Sequence, residues 1–73
     1  MSYGTSANIT NTIIADQLTN VISTNQLDAK KLNIIRATLL NAVITLPASL
    51  TDFAVEVQDA VSGGGNITVN QAV

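Results

Sequence analysis

Three carboxylates, Asp52, Glu56 and Asp59, fall at i, i+4 and i+7, a spacing that would gather them on one face of a helix. Oxygen ligands so placed could hold a hard cation if a neighbouring segment supplied more of them. Nothing in the chain matches a calcium loop, so the expectation is an acidic face, either solvated or paired with Lys31 or Arg36 of the same or an adjacent subunit. Nucleophilic catalysis needs a base beside a Ser, Thr or Cys. With no His and no Cys, only Lys30 or Lys31 could supply it, and both sit in a charged, solvated stretch. The chain is therefore expected not to be an enzyme, and to use no cofactor and no metal.

Ser62-Gly63-Gly64-Gly65-Asn66 has the look of a phosphate cradle. Such loops follow a strand, open a helix and carry a Lys with a Ser or Thr. This one follows an expected helix and lacks a cation, so it reads as a flexible joint. Asn8-Ile9-Thr10 and Asn66-Ile67-Thr68 match the glycosylation sequon, but chance matches abound in an Asn- and Thr-rich chain, and no glycan is inferred. Tyr3 and Phe53 are the aromatic residues, too few to stack bases or sugars.

Whole-chain charge narrows the partners. The net charge is −2, with Lys30, Lys31 and Arg36 as the cations. Phosphate neutralisation needs a basic face, so no nucleic acid is expected, nor electrostatic docking on an anionic membrane. Charged residues make up 11% of the chain against an average of about 25%. Its surface must then be covered by Asn, Gln, Ser and Thr, which repel neighbours weakly. A 73-residue chain is one marginal domain, and small domains commonly add disulfides, metal or oligomerisation. Without Cys or His, oligomerisation is what is left. A naturally low-charge monomer is the alternative.

The first ten residues, MSYGTSANIT, lack the basic and apolar regions of a leader. The nearly apolar run from Ala37 to Leu50 is interrupted by Asn41, Thr45, Pro47 and Ser49. It falls short of the roughly 20 apolar residues of a spanning helix, so no membrane span is expected. Synthesis in the cytoplasm follows, with leaderless release or incorporation into a particle left open.

The elements expected are mainly α-helical. Helix 1 covers about 7–23, with Ile14, Leu18, Val21 and Ile22 in a stripe and Ile9 and Ile13 opposite. Its β-branched and Asn/Thr content gives poor helix propensity, and an extended conformation for Ala7 to Ile14 competes. Helix 2 covers about 26–46, opened by Asn25 with Asp28 near the positive end of the dipole and ended by Pro47. At ~100° per residue, Leu32, Ile35, Leu39, Val43 and Leu46 make one face, and Ile34, Ala37, Leu40 and Ile44 make another. A helix apolar nearly all round must be buried on all sides. Helix 3 covers about 48–62, capped by the pattern Ser49 to Asp52. Its apolar face is Leu50, Phe53, Ala54, Val57, Ala60 and Val61. Beyond the glycines, Asn66 to Asn70 alternates with period two, a short strand signal. It is expected either as a disordered tail or as a strand added to a neighbour.

The organisation expected is an N-terminal arm (1–6), a helical domain (7–62) and a Gly-rich joint with an extended tail (63–73). The helices would form a small hairpin or bundle completed by oligomerisation. In composition the chain is similar to small coat and filament subunits of bacteria and their viruses, and to refractile-body ribbon proteins. That similarity implies self-assembly. The function expected is a non-enzymatic structural subunit of a filament, ribbon or shell, whose partners are copies of itself. Its intersubunit contact would use Ile9, Ile13, Ile34, Ala37, Leu40, Ile44, Ile67 and Val69. The alternative is a small helical interaction module binding a different protein.

Overall fold

In the computed structural model, residues 9–72 are described. The arm expected over 1–6 and the first residues of the expected first helix lie outside them. The described chain is built of strands: β1 (Thr10–Ala15), β2 (Thr19–Val21), β3 (Leu32–Ala37), β4 (Val43–Leu46), β5 (Ala54–Asp59) and β6 (Thr68–Gln71). A single 3-10 turn, Thr24–Gln26, lies between β2 and β3. No α-helix occurs among the described residues, so the mainly α reading, with helices at 7–23, 26–46 and 48–62 and a helical bundle, is corrected throughout.

Odd-numbered strands form one parallel sheet in the order β1-β3-β5, and even-numbered strands form a second in the order β2-β4-β6. The chain therefore alternates between sheets and returns each time one strand further along. It winds as a parallel β-solenoid of three coils. Twenty-two residues separate Thr10 from Leu32 and Leu32 from Ala54 in the first sheet. In the second sheet the steps are 24 and 25 residues, from Thr19 to Val43 and from Val43 to Thr68.

The register stacks like on like. Along the first sheet the inward rows are Asn11, Asn33 and Val55, then Ile13, Ile35 and Val57, then Ala15, Ala37 and Asp59. The second sheet adds the row Asn20, Ile44 and Val69. Between the sheets lies one core of Ile13, Ala15, Ile22, Leu27, Ile35, Ala37, Ala42 and Ile44, with Leu46, Leu50, Phe53, Val55, Val57 and Ile67 packed against it. The middle coil is sealed, with Ile35 and Ile44 wholly buried.

This register explains why residues 27–46 are apolar on two helical faces. The segment holds two strands of different sheets, β3 and β4, joined by a turn in which Asn41 takes φ 60°. Asn tolerates that left-handed conformation better than most residues. Inward positions at 33, 35 and 37, then 42 and 44, wrap onto both sides of a wheel although each strand has one buried face. β-Branched Ile, Val and Thr favour the pleated surface. No helix begins at Asn25, which lies inside the 3-10 turn; that turn is capped by Ser23, whose N–H donates to Gln26 Oε1 (2.9 Å), while Asp28 Oδ1 accepts from the Lys30 N–H (2.9 Å) in the next turn.

The C-terminal strand exists, but its partner is internal. Gly63 and Gly64, at φ 81° and 77°, turn the chain so that β6 pairs with β4 from Val43↔Thr68 to Leu46↔Gln71. The Thr68 and Ala72 amides donate to the Ala42 and Leu46 carbonyls (3.0 and 2.8 Å). The glycines thus act as a fixed corner of the third coil.

Candidate assembly surface

Asp52, Glu56 and Asp59 are dispersed. Asp52 lies in the connection before β5, whereas Glu56 and Asp59 lie on opposite faces of β5. On a strand rising ~3.3 Å per residue, their spacing spreads them along the chain. Among the described residues no three potential ligands gather as a metal site. The ion pair there joins Lys31 to Asp28 (3.6 Å). Arg36 reaches an acid indirectly: its Nη1 donates to Gln58 Oε1 (3.1 Å), and Gln58 Nε2 donates to Glu56 Oε2 (2.6 Å).

What the fold does present is two solenoid ends. β1 and β2 border one end, β5 and β6 the other, and each is the outer strand of its sheet among the described residues. Such edges carry a row of unpaired main-chain donors and acceptors, a template for a further strand. At the β5/β6 end the core itself is incompletely covered. Val69 occupies the row of the fully buried Ile44, yet is 45% exposed, and Val55, Val57 and Ile67 are only half-buried.

Polar interior residues hold the coils in register. Asn33 is wholly buried. Its Oδ1 accepts from Asn11 Nδ2 (2.9 Å) and the Asp28 N–H (2.8 Å). Its Nδ2 donates to the carbonyls of Asp28 (3.0 Å), Lys31 (3.3 Å) and Ala54 (3.0 Å). Asn20 closes the β1–β2 corner by accepting from the Gln17 N–H (3.1 Å) and donating to Gln17 O (2.7 Å), and it also donates to Val43 O of the next coil (3.1 Å).

The eight residues expected at an intersubunit contact are not brought together. Ile13, Ala37 and Ile44 belong to the chain's own buried core. Ile34 is half-buried on the outer face of β3, Leu40 is exposed at the β3–β4 corner, and Ile9 is exposed just before β1. Ile67 and Val69 do share a place, on the last coil. Val55, Val57 and Asp59 complete that coil's inward rows and were missed. A repeat would have found them: Asn11-x-Ile13-x-Ala15 recurs twenty-two residues on as Asn33-x-Ile35-x-Ala37, which projects the third set onto 55, 57 and 59.

Among the described residues no helix is long and apolar enough to cross a membrane. No family model matches the chain, and neither a curated protein nor a solved structure matches it.

Proposed function

We propose that the chain is a non-enzymatic, self-assembling structural subunit that grows by stacking its coils end to end into a filament. One observation carries this reading: the last coil leaves two parallel strand edges and a half-covered apolar interior on the same face. The best cover is a coil of the same cross-section. A second copy supplies one, because its β1 and β2 are set apart by the same stacked registers that set β5 and β6 apart. Addition in this sense is heterologous, the β5/β6 end of one copy meeting the β1/β2 end of the next, and heterologous contacts that do not close generate filaments. The sparse charge of the chain supports the same reading, since few like charges oppose close stacking.

The test is sedimentation velocity with negative-stain microscopy on the purified 73-residue chain, over a range of concentration in acidic and neutral buffers. The expected result is uniform filaments without any added partner, with a fibre repeat of ~4.8 Å along the axis from stacked strands. Val69→Lys, which places a charge on the uncovered row, is expected to suppress growth while leaving strand content unchanged. A stable 7.6 kDa species under all these conditions overturns the proposal.

A further inference from the structure

The inward row Ala15, Ala37, Asp59 changes character at its end. Ala15 and Ala37 are sealed, at 1% and 0% exposure, while the third position is an exposed carboxylate on an edge strand. An inward-pointing charge on an edge is a known way of guarding it against further pairing. We propose that Asp59 is a charge gate on the β5/β6 end, so that a second copy docks there when the carboxylate is neutralised. This rests on the stacking reading above and adds its control.

Among the described residues no cation pairs with Asp59 to compensate its charge in a dry junction. β3 contributes Ala37 beside it, and the neighbouring Arg36 faces outward to Gln58. The connection from Ala60 to Ile67 carries no titratable residue, nor do β4 and β6. Within that connection the Val61 N–H donates to Asp59 Oδ1 (3.0 Å). If the twenty-two-residue register continues into a second copy, Asp59 stands over that copy's Ala15. The adjoining Asp16 then brings another carboxylate to the same corner. Burying a carboxylate without a partner is costly, and a like charge nearby raises the cost. The assembled state therefore binds protons more tightly than the free subunit. By linkage, assembly strengthens as pH falls and weakens as pH rises.

The experiment measures the critical concentration for filament growth at neutral and acidic pH for the native chain, Asp59→Asn and Asp59→Ala. Asp59→Asn keeps an acceptor for the Val61 amide, and Asp59→Ala continues the alanine row. Asp52→Asn is the control: it removes one negative charge just as Asp59→Asn does but lies outside the sheet rows, which separates a local gate from the loss of net negative charge near the isoelectric point of about 4.4. Expected are filaments of native chain favoured in acid, and a critical concentration at neutral pH about tenfold lower or more for both Asp59 variants, with Asp52→Asn like the native chain. Filaments whose critical concentration ignores the Asp59 substitutions, or responds equally to Asp52→Asn, overturn the gate and leave the stacking reading standing. No filament from any variant at any pH overturns both.

Discussion

Asn11 and Asn33 occupy one inward row in adjacent coils, and the Asn11 side-chain amide donates to Asn33 Oδ1 at 2.9 Å. Asn33 then donates onward to Ala54 O in the third coil and binds Asp28 in the connection between β2 and β3. One buried side chain thereby ties all three coils. A fully satisfied polar network of this kind specifies register, because a slip of one residue leaves every member unpaired.

Asn33→Ala is accordingly expected to be among the most damaging single changes. It strands the Asp28 amide and carbonyl and the Ala54 carbonyl, all part-buried, and each group left without a partner costs up to about 1–3 kcal/mol. A loss of about 3 kcal/mol or more by urea denaturation is the expected outcome. Asn33→Asp adds a buried charge facing carbonyl oxygens, which favours the protonated form in the folded state. Its stability is expected to recover partly on acidification, the sign following from greater proton binding by the folded state. A loss below about 1 kcal/mol for Asn33→Ala means the network does not hold the coils.

Coil position should grade the core. Ile35→Ala or Ile44→Ala empties a site with no exposure and is expected to cost about 2–5 kcal/mol. Val57→Ala, in the same row as Ile35 but half-exposed on the last coil, is expected to cost the free subunit about 1 kcal/mol or less. It should instead raise the critical concentration for filament growth. Equal losses at Ile35 and Val57 in dilute solution would show the last coil to be as well covered as the middle one.

Local pattern revealed the outer pieces of this fold better than its centre. The period-two alternation from Asn66 to Asn70 marks β6, and the poor helix propensity over Ala7 to Ile14 left the extended conformation of β1 open as a competing reading. Between them, the tight turn at Asn41 splits a twenty-residue apolar stretch into two strands whose inward positions imitate a helix buried all round. The pairing itself is long-range: Leu32 meets Thr10 and Ala54, each twenty-two residues away. Only the recurrence of Asn-x-Ile-x-Ala at that interval carries this information locally. The apolar surplus was legible, but its cause is a solenoid end rather than an oversubscribed helix. The period-two alternation points to Ile67 and Val69, whereas the i, i+4, i+7 spacing places Asp59 in an acidic helical stripe that the strand dissolves.

The third-coil corner separates backbone from side-chain demands. At Gly63 and Gly64 an added Cβ meets nothing within 4 Å, but φ is 81° and 77°. Gly63→Ala and Gly64→Ala are each expected to cost about 1 kcal/mol from backbone strain alone. At Gly65 the constraint is contact: a Cβ would come within 2.6 Å of Leu40 Cδ1. Gly65→Ala should therefore be rescued in part by Leu40→Ala, a coupling that a double-mutant cycle reads directly. Additive losses at 65 and 40 would mean that the Leu40 side chain moves aside without cost.

The outer face of the first sheet supplies the contrast to Asp59. Arg36, Gln58 and Glu56 form a hydrogen-bonded run across β3 and β5, and all three side chains lie on the solvent side of the sheet. Exposed hydrogen bonds to charged groups of this kind contribute little, roughly 0–1 kcal/mol even for a direct ion pair, and are screened by salt. Glu56→Gln removes a charge from the same edge strand as Asp59→Asn, three residues away, but from the face that a stacked copy leaves in water. It is expected to change stability by less than about 0.5 kcal/mol and to leave the pH dependence of assembly unchanged. Arg36→Gln should behave alike, in low and high salt. A shift of the assembly midpoint by Glu56→Gln as large as that by Asp59→Asn would show that the total charge of β5 governs docking rather than the face on which the charge stands.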